Sequence, residues 1–208
     1  LLAKGLLTAL NNEQFDVLRI LSNAVKEMSE GELLQLEKSR SLDIDEQVYF
    51  QIIGQKTASL ISAACQSGAA STTQNKTHIE LMQKFGYALG IAFQIKDDLF
   101  DYGKDDIGKP TGNDIKEKKL TLPLIYTLNK VSASTKRELI FTIKNENKDP
   151  QKVRFVIDAV IDAGGIKYAS EKMNAYRDEA LEILNSFPEN PVRSSLEELV
   201  RFTTDRKY

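Results

Sequence analysis

The chain has 208 residues and a formal net charge of −2, so it offers no general electrostatic attraction for nucleic acid. Its hydrophobic fraction of 41% is enough for a substantial core, while its one cysteine excludes an intrachain disulfide or a thiolate metal cluster. Its one histidine excludes a histidine-rich zinc site and argues against Ser-His-Asp catalysis.

Apolar residues recur at steps of three and four almost throughout the chain, which predicts one all-α domain over residues 1–208. The helices predicted in this way lie at 15–38, 45–70, 77–102, from 121, 135–144, 151–163, 166–187 and 191–203. Asp45 is a suitable N-cap for the second of them, and Pro123 lies in the first turn of the fourth. Small residues dominate 58–70, which favours close helix packing there over space for a ligand. No run of about eighteen apolar residues and no signal peptide is present, so no transmembrane helix is expected and cytoplasmic residence is the default.

The end of the 77–102 helix places three carboxylates, Asp97, Asp98 and Asp101, in an otherwise apolar run. At helical pitch they share a face with Gln94, and like charges at that spacing repel one another. A solvated acidic face is the simpler interpretation, but the apolar residues before Asp97 predict a buried helix, where unpaired carboxylates are costly. A hard cation such as Mg²⁺ resolves this conflict, because it takes oxygen ligands and shares them with substrate phosphates.

A polar segment rich in glycine and lysine follows the acidic face. It carries Lys109, Lys116, Lys118 and Lys119 close to the carboxylates, a composition suited to binding a diphosphate. Asp114 either belongs to this acidic site or N-caps the segment that starts at Ile115.

Three segments of the chain resemble motifs of trans-isoprenyl diphosphate synthases and occur in the same order as in that family. Residues 90–101, with Gly108-Lys109 and 119–123, are similar to that family's second aspartate-rich region. Residues 31–35 (GELLQ) are similar to its G-[EQ]-x-x-[QD] segment, and residues 56–60 (KTASL) to its K-T-x-x-L segment. The resemblance implies the isoprenoid synthase fold, in which helices surround a deep central cavity.

The family's reaction is a Mg²⁺-dependent condensation of an allylic diphosphate with isopentenyl diphosphate. The resemblance implies metal ligands at Asp97, Asp98 and Asp101. It implies diphosphate-binding cations at Lys56, Lys109 and Lys119. It implies oxygen dipoles facing the developing carbocation at Thr57 and Gln94. The alternatives are a solvated Lys56 and a Gln94 satisfied by core backbone groups, while Glu32 and Gln35 are equally suited to lining the cavity or bridging helices.

One family feature is missing. No DDxxD followed by paired arginines lies between Leu1 and Gly31, and the chain opens like the middle of a helix. We therefore expect a C-terminal part of a longer synthase, inactive by itself. The basic ending, with Arg206 and Lys207, resembles a tail that many members place near their active site.

Two further expectations concern the product and the assembly. The Glu32 and Gln35 version of the upstream segment resembles medium- and long-chain synthases of the octaprenyl type, which make quinone side chains. A homodimer with a contribution from residues 1–38 is expected. The alternatives are a non-catalytic partner subunit, which should have lost these motifs, and a class I terpene cyclase, whose second metal motif fits 97–101 poorly.

Overall fold

The computed structural model describes residues 2–42, 45–103 and 112–206, and every regular element in these ranges is a helix. The all-α expectation is therefore confirmed. The helices are α1 (Leu2–Asn11), α2 (Phe15–Ser41), α3 (Glu46–Ile53), a π-helical turn (Gly54–Ala58), α4 (Ser59–Ala70), α5 (Lys76–Phe100), α6 (Asn113–Lys116), α7 (Leu122–Lys130), α8 (Ala133–Asn145), α9 (Pro150–Asp162), α10 (Gly165–Asn185) and α11 (Pro191–Asp205).

The helix starts follow from local sequence signals. The Asp45 carboxylate accepts a hydrogen bond from the backbone N–H of Val48 at 2.8 Å, as predicted for an N-cap. Asn75 caps α5 in the same way, accepting from the N–H groups of Thr77 and His78. Pro123 lies in the first turn of α7, where its missing N–H leaves no helical hydrogen bond unmade.

The central helix is α5, which packs between α4 and α10. Glycines on α5 make the approach to the preceding helical segments possible. A Cβ at Gly90 would lie 2.6 Å from the Cα of Ala58, and one at Gly86 would lie 2.7 Å from the Cα of Ser62. Ala58 and Ser62 therefore serve close helix packing, as predicted for the small residues of 58–70.

Burial of apolar residues fixes the position of α5. Its inner face includes Ile91 and Ile95, which are fully buried in a core shared with α7, α8, α9 and α10. A smaller cluster joins α5 to α10 and α11 around Phe85 and Leu184. None of the described helices is long and apolar enough to cross a membrane. Helix α5 is thus packed on several sides, and its C-terminal end carries Asp97 and Asp98, with Asp101 directly after it.

Candidate active site

The two adjacent aspartates at the end of α5 lie in different environments. Asp98 is only 6% exposed, whereas the Asp97 side chain is 41% exposed. Each Asp98 oxygen accepts a hydrogen bond from an uncharged donor. The Tyr49 hydroxyl donates to Oδ2 at 2.7 Å, and Gln94 Nε2 donates to Oδ1 at 3.0 Å. Burial raises the pKa of Asp98 to about 7, although both hydrogen bonds oppose the shift.

Asp97 has a cationic partner from the far end of the chain. The Arg206 guanidinium pairs with the Asp97 carboxylate and lies over the rings of Phe93 and Phe100, with centroid distances of 4.4 and 5.3 Å. The basic ending of the chain therefore does reach the acidic face, at Arg206, while Lys207 lies outside the described residues.

Asp101 binds backbone rather than side chains. Its two oxygens accept hydrogen bonds from the N–H groups of Asn113 and Asp114, at 2.8 and 3.0 Å, and so hold the start of the short helix α6. Burial, followed by the nearby Asp114 charge, raises the pKa of Asp101 to about 6. Asp114 in turn lies 3.5 Å from Lys119, so it faces the acidic site and does not serve as the side-chain cap of α6.

Lys56 is held by two side chains of the 31–35 segment in α2. Its ammonium lies 2.7 Å from a Glu32 carboxylate oxygen and donates to Gln35 Oε1 at 2.6 Å. Both α2 residues therefore orient this lysine, and Gln35 also lines the cavity described below. Gly31 permits this approach, because a Cβ there would lie 2.8 Å from the backbone nitrogen of Lys56.

The π-helical turn explains how Lys56 and Thr57 reach the site. Ile52, Ile53 and Gly54 are buried, and the next buried residue is Ala58. Lys56 and Thr57 lie between them and are half-buried. A regular α-helix would repeat its buried face after three or four residues and would bring Lys56 and Thr57 onto that face. Such turns occur frequently at functional sites. The sequence analysis missed this turn.

Most of the predicted residues line one cavity of about 120 Å³ between α2, α3, the π-helical turn, α5 and the start of α7. Its wall includes Gln35, Lys56, Thr57, Gln94, Asp98 and Lys119. Thr57 Oγ1 donates to Gln94 Oε1 at 2.9 Å, so the two predicted oxygen dipoles are joined, and Gln94 is not a core glutamine satisfied by backbone groups. Lys109 lies outside the described residues. A larger open groove of about 520 Å³ between α2, α4 and α5 contains none of the predicted site residues.

The three aspartates do not converge on one point. Within the described ranges no group of three or more His, Cys, Asp or Glu side chains is arranged to hold a metal ion. The chemistry of Asp97 nevertheless fits a hard divalent cation, because its carboxylate supplies oxygen ligands and is half-exposed. Asp101 lies one turn along the same face, while Asp98 is the least open of the three. Metal binding at each of them stays a prediction.

The residue that the sequence analysis missed at this site is Tyr49. It is 4% exposed and belongs to the buried face of α3 with Ile52 and Ile53. A tyrosine on an otherwise apolar helical face is a usable signal, because a buried phenol needs a hydrogen-bond partner. The partner here, Asp98, is 49 residues away in the chain.

The chain matches a family model described as polyprenyl synthetase over residues 1–160. Among curated relatives it is 31% identical to octaprenyl diphosphate synthase of Escherichia coli K12, over 91% of this chain and 59% of that protein. It is 30% identical to heptaprenyl diphosphate synthase component 2 of Bacillus subtilis, over 91% of this chain and 54% of that protein. The chain spans about half the length of the curated relatives it matches.

Solved structures agree in fold. Geranylgeranyl pyrophosphate synthase from Bacteroides thetaiotaomicron superposes with a TM-score of 0.90 at 34% identity, covering 98% of this chain and 68% of that one. A polyprenyl synthase from Caulobacter crescentus CB15, complexed with calcium and isoprenyl diphosphate, gives a TM-score of 0.86 at 33% identity, covering 93% of this chain and 60% of that one. The α-helical architecture around the cavity is therefore the isoprenoid synthase fold.

Proposed function

The chain belongs to the polyprenyl synthetase family, and from this premise we propose that it supplies the second aspartate-rich half of a Mg²⁺-dependent trans-prenyltransferase site. The reaction condenses an allylic diphosphate with isopentenyl diphosphate to give a longer all-trans polyprenyl diphosphate. The observation that carries the proposal is the meeting of Lys56, Thr57, Gln94 and Asp98 at one cavity, beside the half-exposed Asp97.

The reaction places specific demands on these residues. The C–O bond of the allylic diphosphate breaks, which leaves an allylic cation and pyrophosphate. The double bond of isopentenyl diphosphate then forms the new C–C bond, and a proton leaves to pyrophosphate. The Lys56 ammonium, oriented by Glu32 and Gln35, binds diphosphate oxygens. Thr57 and Gln94 present oxygen dipoles to the carbon cation without offering a strong nucleophile.

The metal would be held first by Asp97, with Asp101 on the same face. When bound there, Mg²⁺ supplies the positive charge that stabilises the leaving diphosphate. The exposure of Asp97 supports this assignment, because its half-exposed carboxylate is open to a cation, whereas Asp98 is buried.

We assign the product to the octaprenyl class. Glu32 and Gln35 give the G-E-x-x-Q version of the upstream segment, and the curated relatives reported above make octaprenyl and heptaprenyl diphosphates. We also propose a homodimer through α1 and α2, which expose the large apolar side chains of Leu7, Leu10, Phe15, Leu33 and Leu36. Light scattering at micromolar concentration tests this, and a monomeric mass would contradict it.

A second candidate is a non-catalytic subunit of a heteromeric synthase. The relative described as component 2 favours a heteromeric form. The retained Lys56, Asp97, Asp98 and Asp101 favour the catalytic assignment, because a subunit without catalysis has no need of them.

Binding of geranyl diphosphate to the chain, measured by calorimetry with and without Mg²⁺, tests the proposed function. We expect Mg²⁺-dependent binding, and we expect Asp97→Asn to remove most of the dependence on the metal. Asp158→Asn is a matched control, because Asp158 is a half-exposed carboxylate paired with Arg154 on the surface of α9. Binding that is indifferent to both Mg²⁺ and Asp97→Asn would refute the assignment.

A further inference from the structure

The feature that the proposed reaction does not yet use is the phenol of Tyr49. Its hydroxyl joins α3 to the last turn of α5 by donating to Asp98 Oδ2 at 2.7 Å. Tyr49 and Asp98 are 4% and 6% exposed, so this hydrogen bond is formed away from solvent. A buried carboxylate that accepts hydrogen bonds only from uncharged donors destabilises the fold, so packing alone does not account for this pair.

The Asp98 carboxylate fixes which way the Gln94 amide points. Gln94 contacts Asp98 Oδ1 with the NH₂ end of its amide, which donates at 3.0 Å. The amide oxygen is thereby turned toward Thr57, whose hydroxyl donates to it at 2.9 Å. Rotation of the amide by half a turn would remove the hydrogen bond from Gln94 Nε2 to Asp98 Oδ1.

The four side chains form one path from the core to the cavity. Tyr49 and Asp98 lie in the interior, while Gln94 and Thr57 are half-buried, and all four belong to the cavity wall. With Oδ2 occupied by the phenol, the Asp98 carboxylate is held in the rotamer that leaves Oδ1 for Gln94. The path therefore transmits a constraint from α3, through α5, to the π-helical turn.

We propose that Tyr49 is a positioning residue that fixes Asp98, and through it keeps the Gln94 amide oxygen directed to Thr57 and the cavity. In this arrangement Asp98 serves as the anchor of the oxygen dipoles, and Asp97 is the residue left to bind the metal. The meaning for prenyl transfer rests on the proposed function, whereas the link from Tyr49 to Gln94 rests on geometry alone.

The competing explanation is that Tyr49 only fills space. Its ring packs edge-on against Phe50, with the centroids 5.4 Å apart, so the aromatic ring has a structural role in any case. The chain offers a matched control in Tyr102, which is also 4% exposed and whose hydroxyl is hydrogen-bonded to Thr121 Oγ1 at 2.7 Å. Tyr102 has no hydrogen bond to Asp98 or Gln94 among those described, so it reports the cost of losing a buried phenol alone.

The first experiment compares Tyr49→Phe and Tyr102→Phe in the chain by NMR of the glutamine side-chain amides, with a chelator present. We expect similar losses of thermal stability in both variants. Only Tyr49→Phe should shift the Gln94 Nε2 resonances and speed their hydrogen exchange, by roughly tenfold, the factor that one ordinary hydrogen bond represents. Unchanged Gln94 signals in Tyr49→Phe, or equal changes in both variants, would overturn the inference.

The second experiment measures turnover by the assembled synthase that contains this chain. Tyr49→Phe should lower kcat roughly tenfold with little change in the KM for either diphosphate, because a displaced dipole matters most when the cation develops. A higher KM with kcat unchanged would overturn the positioning role. No turnover by the parent would instead refute the proposed function, while the NMR comparison would still decide whether Tyr49 controls Gln94.

Discussion

Replacing the buried Asp98 with asparagine should make the chain increasingly stable, relative to the parent, as the pH rises. In the folded chain burial raises the pKa of Asp98 to about 7, above the ordinary value of 3.8. A carboxyl whose pKa is higher in the folded state binds more protons there than in the unfolded state between these two values. Protonation of Asp98 therefore contributes its full stabilisation to the folded state below pH 3.8, and this stabilisation is lost as the pH rises through 7. Asparagine has no such loss.

The size of the effect follows from the same pKa. Each unit of difference between folded and unfolded states corresponds to about 1.4 kcal/mol, so the fully ionised Asp98 costs roughly 4 kcal/mol relative to its protonated form. The free energy of unfolding of Asp98→Asn, minus that of the parent, should therefore increase by about 4 kcal/mol between pH 4 and pH 8, an order-of-magnitude figure. Asp101 also titrates in this range, but it is present in both proteins and cancels.

Urea unfolding of the two proteins at pH 4, 6 and 8, with a chelator present, measures this difference. Asp158→Asn removes a half-exposed carboxylate and should change the parent little at any of these pH values. A difference between Asp98→Asn and the parent that is the same at pH 4 and pH 8 would refute the reasoning. Such a result would mean that Asp98 is not ionised in a desolvated site.

Other substitutions test the packing and the charges around the site. Gly90→Ala should destabilise the chain by about 1–3 kcal/mol, because the added Cβ would collide with Ala58. Gly68→Ala is the control, because its Cβ would meet nothing within 4 Å, and it should be neutral or stabilise by up to about 1 kcal/mol. Denaturant unfolding compares the two variants. Lys56→Met should weaken geranyl diphosphate binding roughly 10- to 100-fold in calorimetry, and an unchanged affinity would argue that this lysine only bridges to Glu32 and Gln35. Arg206→Ala should tighten Mg²⁺ binding by freeing Asp97, and a weaker or equal Mg²⁺ affinity would count against Asp97 as the ligand.

Much of the fold was predictable because its signals are local. Helix starts at Asp45 and Pro123 follow from capping and from the missing proline N–H, and α5 follows from the long apolar run before Asp97. The site residues were identified by their resemblance to family segments. The structure brings Lys56, Thr57 and Gln94 together at one cavity.

The features that escaped prediction depend on contacts distant in sequence. The Tyr49 to Asp98 hydrogen bond and the particular pairing of Arg206 with Asp97 join residues 49 and 109 positions apart. The π-helical turn escaped for a different reason. Apolar and small residues through 46–70 are compatible with an unbroken helix, and one additional residue in a single turn leaves almost no mark on an apolar pattern.

That additional residue makes the number of residues in 54–58 as important as their identity. Each residue of an α-helix advances the side-chain direction by about 100°, so removing one from the turn would swing everything on one side of it around the axis. Lys56 and Thr57 would then point into the core instead of the cavity, or Ala58 would no longer pack against Gly90. Relatives should therefore keep the residue count here, and a single-codon deletion should be more damaging than any single substitution in this segment.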